Sequence, residues 1–243
     1  MAAEETQHNI VAIDVGLKNL SLCAMRCPGH GVPSATPPLL SDAKGRLSAM
    51  QLLRWEVVPL VGSKGGGGLV ERAVAVAAFV RDREALFLQA NVVVIEHQMQ
   101  NTMRTIAASL FSGISLLAGD RVVMASQHSK DKLTWADVQV HSPAAAATLD
   151  TYAKRKRAAV ECAYFLLGLP PPLSRRQGGG QTTMDWWQDE GSASWAGPLR
   201  EILSSSAKKD DLADSLLHLC AHECRHNPER GRPRGKPRKR ALS

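Results

Sequence analysis

Four acidic residues stand where their carboxylates could do chemistry rather than face solvent. Asp14 ends the apolar segment Asn-Ile-Val-Ala-Ile-Asp, and Glu96 ends the segment Asn-Val-Val-Val-Ile-Glu. Acidic residues seldom close such apolar strands unless they cap a turn or bind something. Asp211 and Asp214 lie three residues apart in a helical segment, so both side chains occupy one face of that helix. If that face meets the ends of the two strands, the four carboxylates converge.

Four converging carboxylates repel one another unless divalent cations lie between them, and all-oxygen ligands select Mg²⁺ or Mn²⁺. Taken singly, each acid has a simpler interpretation. Asp14 could cap the turn before Gly16, and Glu96 could face solvent at the end of its strand. Asp210 and Asp211 could favour the dipole of the helix that they begin. On the residues alone, these interpretations stay open beside the metal site.

Five strands and four helices are needed to position these acids. The hydrophobic patterns predict strands over residues 9–14, 20–25, 52–58, 91–96 and 121–124. They predict helices over residues 69–88, 101–117 and 151–168, and from residue 205 or 206 to residue 222. This order predicts an α/β fold with one five-stranded mixed sheet and helices on both faces. Residues 28–48 are expected to form an irregular loop, and residues 170–197 a Pro/Gly/Trp-rich insertion.

The positive charge of the chain is concentrated at its carboxyl end. The formal net charge is +7, and residues 225–243 contain eight Lys or Arg and one acid, so the rest of the chain sums to zero. We therefore expect one folded domain over residues 1–226 and a basic disordered tail over residues 227–243. The tail would bind DNA without sequence preference or serve as a nuclear-localisation signal.

The cysteines and the apolar segments indicate the compartment. Five cysteines in a chain of 243 residues do not form a disulfide framework, and an odd number favours a reducing compartment. No apolar run approaches the roughly 20 residues that span a bilayer. The acidic start, with Glu4 and Glu5, argues against a secretory or mitochondrial targeting sequence. We expect a soluble, intracellular protein that is not secreted and has no membrane partner.

Two groups of residues in the sequence could bind ligands but have simpler explanations. Residues 218–226 are rich in His and Cys, and Cys23 and Cys27 lie elsewhere, yet this spacing lacks the paired cysteines of a structural zinc site. We expect these to be ordinary helix residues. Trp186, Trp187 and Trp195 could stack on unpaired bases, but aromatic residues more often fold a long loop back onto the domain.

Three motifs, taken in order, resemble those of the RuvC-type Holliday junction resolvases. They are Ile13–Asn19 (Ile-Asp-Val-Gly-Leu-Lys-Asn), Val94–Gln98 (Val-Ile-Glu-His-Gln) and Asp211–Leu216 (Asp-Leu-Ala-Asp-Ser-Leu). The segment Tyr152–Arg157 resembles the basic helix start of the enzymes from poxviruses and other large DNA viruses, the branch that this chain resembles most, with the fungal mitochondrial resolvases nearby. The similar segments make up about a third of the chain.

The resemblance implies a ribonuclease H-like fold and a set of catalytic residues. Asp14, Glu96, Asp211 and Asp214 would bind two Mg²⁺ ions per active site, with Mn²⁺ as a substitute. Lys156 would lie near the scissile phosphate, with Lys154 as the competing choice. Further basic residues are expected to contact DNA, namely Lys18, Lys154, Arg155, Arg157, Lys208 and Lys209.

The resemblance also implies a reaction and partners. Two-metal hydrolysis of four-way or branched DNA would leave 5′-phosphate and 3′-hydroxyl ends. A homodimer would match the two symmetric strands cut at a four-way junction. An enzyme of the viral branch would act at a viral replication site in the cytoplasm or the nucleus.

Three other functions were weighed against this one. A ribonuclease H acting on RNA–DNA hybrids would share the fold and similar carboxylates, but the Lys156 segment and the Asp-x-x-Asp helix favour the resolvases. The sugar-kinase and actin ATPases also carry an Asp-x-Gly loop, but the sequence lacks their second phosphate loop and their glycine-rich adenosine loop. A junction-binding protein without catalysis has no need of four converging anions beside phosphate.

Overall fold

A computed structural model describes residues 7–28, 40–61, 68–126, 152–169 and 197–225. The strands are β1 (His8–Val15), β2 (Asn19–Cys27), β3 (Gln51–Pro59), β4 (Val92–His97) and β5 (Val122–Ser126). The helices are α1 (Leu40–Leu47), α2 (Leu69–Arg81), α3 (Glu84–Gln89), α4 (Asn101–Ala118), α5 (Tyr152–Leu166), α6 (Gly197–Ser205) and α7 (Lys209–Arg225). The tryptophans of the predicted insertion and the predicted basic tail lie outside the described residues.

The five strands form one mixed sheet in the order β3-β2-β1-β4-β5. β1 pairs antiparallel with β2, and β2 antiparallel with β3, whereas β4 runs parallel to both β1 and β5. The sequence-based prediction of a five-stranded mixed α/β sheet is confirmed. Because Ile13 pairs with Ile95 in the parallel register, the next residues, Asp14 and Glu96, reach the same edge of the sheet.

Each face of the sheet packs against its own layer of helices, which confirms the prediction of helices on both faces. Ile10 and Ala12 belong to the core formed with α1, α5, α6 and α7, while Val11 and Ile13 belong to the core formed with α2, α3 and α4. Side chains alternate between the faces of a strand, so Asp14 shares the face of Ala12. Asp14 is therefore on the side of the sheet that α7 covers.

Hydrogen bonds from the sheet fix the first turns of α7. The buried indole N–H of Trp55 on β3 lies 3.1 Å from the Leu212 carbonyl oxygen and 3.3 Å from Ser215 Oγ. Ser21 Oγ on β2 lies 2.9 Å from the same Ser215 oxygen. Ser21 is also the pairing partner of Asp14 across the hairpin. This network sets the position of α7 at the end of β1 where the acids lie.

Three sequence-based boundaries were wrong. The segment 28–48 is not all irregular loop, because residues 40–47 form α1 and bury Ala43 and Leu47. Its prolines all precede residue 40, so they do not oppose the helix. The single helix predicted over residues 69–88 is divided between α2 and α3. The helix expected to start at residue 205 or 206 starts at Lys209.

Specific contacts explain the break between α2 and α3 and the start of α7 at Lys209. Between α2 and α3, Arg83 leaves the helical conformation, and its Nε donates to Glu56 Oε1 on β3 at 2.6 Å. The Arg83 guanidinium also lies 4.4 Å from the centroid of the Phe79 ring. Before α7, the Lys209 ammonium donates to three carbonyl oxygens at the end of α6, those of Leu203, Ser204 and Ser206. That lysine therefore caps one helix and begins the next.

The network around Trp55 makes a stability prediction. Trp55→Phe should lower the free energy of unfolding by about 1–3 kcal/mol, because a buried hydrogen bond is lost and its acceptors remain. Combined with Ser215→Ala, the two changes should couple by about 0.5–2 kcal/mol in a double-mutant cycle measured by urea denaturation. Ser109→Ala, which removes a serine hydroxyl bonded within α4 on the other face, should be additive with Trp55→Phe. Additivity in both cycles would contradict the network.

Candidate metal centre

Two carboxylates and an imidazole meet where β1 and β4 end. The potential ligand atoms of Asp14, Glu96 and His218 all lie within 4.8 Å of one another, and all three residues are buried. Glu96 Oε1 is 3.4 Å from His218 Nε2, and the Gln98 amide donates to the other oxygen of Glu96. Burying two carboxylates this close together is unfavourable unless positive charge accompanies them.

A second group of acids surrounds one lysine at the start of α7. The Lys156 ammonium on α5 lies 3.2 Å from Asp210 Oδ2, 3.5 Å from Asp211 Oδ1 and 3.2 Å from Asp214 Oδ2. Asp214 is buried, while Asp211 and Asp210 are progressively more exposed. One monovalent cation therefore interacts with three carboxylates.

The pKa shifts show that the two groups form one electrostatic unit. Burial, then repulsion from Asp210, raises the pKa of Asp211, and Asp14 adds to that repulsion although Lys156 and Asn19 oppose it. Burial also raises the pKa of Asp210, but the charge and hydrogen bond of Lys156, a hydrogen bond from the backbone of Asp210 and the charge of Lys208 together leave this pKa below its usual range. The Lys156 charge thus compensates Asp210 and leaves Asp211 in an excess of negative charge.

The turn between β1 and β2 brings an amide to Asp211. The Gly16 N–H donates to the Asn19 carbonyl at 3.0 Å, and a Cβ at Gly16 would lie only 2.9 Å from that oxygen. Any larger residue would therefore displace the turn. The turn holds Asn19, whose Nδ2 donates to Asp211 Oδ2 at 3.3 Å. Gly16 and Asn19 of the first motif thus position an acid of the third.

The five residues predicted as catalytic, Asp14, Glu96, Lys156, Asp211 and Asp214, all lie at this end of the sheet.

The basic residues predicted to bind DNA differ in their exposure and in their partners. Lys18, Arg155 and Lys208 are exposed, and exposed Arg157 pairs with Glu161 at 2.8 Å. The Lys209 ammonium caps α6, as described above. The Lys154 side chain lies outside the described residues, and DNA contact by each of these residues stays a prediction.

Four residues at the site were absent from the predicted set: Asn19, Gln98, Asp210 and His218. Helical spacing could have indicated His218, since it follows Asp214 by four residues and Asp211 by seven. Gln98 follows Glu96 by two residues, the spacing that returns a side chain to the same face of an extended chain. The role of Asn19 depends on the tertiary contact with Asp211.

The donor set fits divalent metal ions. Carboxylate oxygens dominate it, as Mg²⁺ and Mn²⁺ require, and the His218 nitrogen is a donor that Mn²⁺ also accepts. A dication between Asp14 and Glu96 would relieve the repulsion that their burial imposes. Asp211 and Asp214, which surround Lys156, add further carboxylates at this end of the sheet, and the charge of Asp14 reaches Asp211.

No protein-family model matches the chain, and no curated protein sequence matches it. Among solved structures, the chain is similar to Thermus thermophilus RuvC, with 16% identity, 88% of this chain and 92% of that chain covered, and a TM-score of 0.46. It is also similar to the yeast mitochondrial Holliday junction resolvase Ydc2, with 14% identity, 88% of this chain and 78% of that chain covered, and a TM-score of 0.43.

None of the helices in the described ranges combines the length and the apolar character that crossing a bilayer requires.

The position of Lys156 leads to a prediction about metal-free protein. In the presence of a chelator, Lys156→Met should lower the free energy of unfolding by about 1–3 kcal/mol, because three carboxylates lose a charged hydrogen-bond donor. Added Mn²⁺ should then stabilise the variant more than the parent, since the ammonium no longer competes with the cation. Urea denaturation with chelator and with Mn²⁺ measures both effects.

Arg157→Met is the matched control, because it removes a neighbouring basic residue on α5 that pairs with Glu161 instead. It should leave the Mn²⁺ response unchanged. Equal Mn²⁺ stabilisation of the parent and of Lys156→Met would show that the ammonium does not compete for this position.

Proposed function

We propose that this protein is a metal-dependent endonuclease of ribonuclease H-like fold that cuts branched DNA, a Holliday junction resolvase in type. The observation that carries the proposal is the convergence of Asp14, Glu96, Asp211 and Asp214 at one edge of the sheet. These acids come from three motifs whose order and spacing resemble those of the resolvases. The basic segment Tyr152–Arg157 favours the branch of large DNA viruses, so the enzyme would act inside the infected cell.

Asp14, Glu96, Asp211 and Asp214 are the residues that would hold two Mg²⁺ or Mn²⁺ ions. When bound, such a pair activates a water molecule and offsets the negative charge that develops on the leaving 3′-oxygen, which yields 5′-phosphate and 3′-hydroxyl ends. Around these acids the chain supplies fixed hydrogen bonds. Gln98 orients Glu96, which also lies against His218 at 3.4 Å, and Asn19 orients Asp211.

Lys156 would change partners when metal and DNA bind. Its ammonium now contacts the three aspartates at the start of α7, and divalent cations would take over these contacts. The lysine would then be free to offset charge on the phosphoryl oxygens of the transition state. Because Lys156 lies on α5 opposite the start of α7, it could contact either the aspartates or a phosphate bound beside them.

We also propose that the protein is a homodimer. A two-fold symmetric enzyme presents two active sites to the two equivalent strands of a four-way junction. We would place such an interface on α2 and α4, which carry exposed apolar side chains such as Val70 at 76% and Leu116 at 88% of full exposure. This layer covers the face of the sheet opposite α7, so dimerisation through it would leave the acids accessible.

The decisive assay compares three labelled substrates with Mg²⁺: a synthetic four-way junction, an RNA–DNA hybrid and a linear duplex. The junction should be cleaved into ends that a ligase can seal. Glu96→Gln and Asp214→Asn should abolish cleavage while junction binding in a chelator persists, because the carboxylates hold metal rather than the DNA arms. Gel electrophoresis measures cleavage and binding on the same substrate.

Glu84→Gln is the matched control, since it neutralises an exposed carboxylate on α3 and should leave cleavage unchanged. Faster cleavage of the hybrid than of the junction would instead indicate a ribonuclease H. Junction binding with no cleavage at any Mg²⁺ or Mn²⁺ concentration would indicate a binding protein without catalysis. Full activity in Glu96→Gln would remove that residue from the site.

A further inference from the structure

A second cluster of potential metal ligands lies at the opposite end of β1 from the acids. His8 begins β1, Cys27 ends β2 as its pairing partner, and Glu223 lies near the end of α7. Their potential ligand atoms all lie within 4.8 Å of one another. His8 precedes Asp14 by six residues of extended strand, which separates the two places by about 20 Å at roughly 3.3 Å per residue.

The cluster is enclosed, and its members already interact. The side chain of His8 is 14% exposed and that of Glu223 is 5% exposed, with His8 Nε2 3.2 Å from Glu223 Oε2. Cys27 is fully buried beside them. Burial, and then the Glu223 carboxylate, raises the pKa of the Cys27 thiol to about 12, so this thiol is protonated when no cation is bound.

We propose that His8, Cys27 and Glu223 form a binding site for a divalent cation of the zinc class, distinct from the carboxylate centre. Imidazole nitrogen, thiolate sulfur and carboxylate oxygen are the three donor types that Zn²⁺ takes from proteins, and three protein ligands leave the fourth tetrahedral position to water. The charges also balance: one thiolate and one carboxylate neutralise a dication, which suits an enclosed position.

Binding follows a simple proton balance. The Cys27 thiol releases one proton and becomes the sulfur ligand. The His8 imidazole would bind through Nε2 in its neutral form, with its proton on Nδ1. Glu223 exchanges its hydrogen bond with His8 for the cation. Nothing is oxidised or reduced.

The two centres differ in their donor sets. The thiolate of Cys27 favours soft and borderline ions such as Zn²⁺ and Co²⁺ and is a poor ligand for Mg²⁺, whereas the centre of Asp14, Glu96 and His218 has no sulfur ligand and two carboxylates that suit Mg²⁺. A cation at the second centre would join the start of β1, the end of β2 and the end of α7. It would therefore brace the helix that carries Asp211 and Asp214, from the end distant from the acids.

The test uses the full chain, without an affinity tag, treated with chelator and then dialysed against Mg²⁺ and one equivalent of Co²⁺. A near-ultraviolet thiolate-to-cobalt charge-transfer band should appear, and Zn²⁺ should abolish it in a stoichiometric titration. Cys27→Ser should remove the band. His8→Asn and Glu223→Gln should each weaken Zn²⁺ binding by at least about tenfold. Mutating a residue that only supports a metal ligand usually costs about that much, and a ligand should cost no less.

Two controls separate this site from the rest of the protein. Cys162→Ser removes another buried cysteine of the same core and should keep the band. Glu96→Gln should also keep it, since the proposal does not depend on nuclease activity. A band that survives Cys27→Ser, or Zn²⁺ affinity unchanged in both His8→Asn and Glu223→Gln, would overturn the assignment. The absence of any stoichiometric Co²⁺ or Zn²⁺ binding to the folded parent would overturn it as well.

Discussion

Several carboxylates meet at one end of the sheet, where their mutual repulsion has to be compensated. Asp14 and Glu96 are buried with ligand atoms within 4.8 Å, and the acids of α7 lie close enough for Asp14 to raise the pKa of Asp211. Such an arrangement costs free energy unless positive charge compensates it or one of the acids keeps its proton. Lys156 supplies positive charge among the acids of α7, and the group of Asp14, Glu96 and His218 could hold a metal ion.

The hydrophobic core holds α7 along the sheet and so keeps its acids close to the strand ends. Buried leucines of α7 pack on the face of β1 that carries Ala12, while Trp55 and Ser21 bind the turn that includes Ser215. The helix therefore cannot retreat from the strand ends to relieve the repulsion. Its other end lies over His8 and Cys27, so one helix connects the two ligand clusters. A substitution in this core that shifts α7 would therefore change the geometry of both clusters.

Local patterns in the sequence predicted most of the architecture and the four carboxylates. The valines before Glu96 indicated a buried strand, and the i, i+3 spacing of Asp211 and Asp214 placed both on one helix face. Contacts between distant segments were beyond such patterns. Glu56 and Arg83 are 27 residues apart, and their ion pair interrupts the predicted helix. His8 and Glu223 are 215 residues apart, so no spacing rule could join them.

The most direct measurement is anomalous diffraction from crystals grown with Mn²⁺. If the acids form a metal centre, we expect two manganese peaks bound by oxygens of Asp14, Glu96, Asp211 and Asp214, with the Lys156 ammonium withdrawn from Asp211 and Asp214. In Glu96→Gln crystals both manganese peaks should be absent or much lower. Crystals saturated with Mn²⁺ that show no peak at these carboxylates, with Lys156 still among the aspartates, would contradict a metal-dependent nuclease.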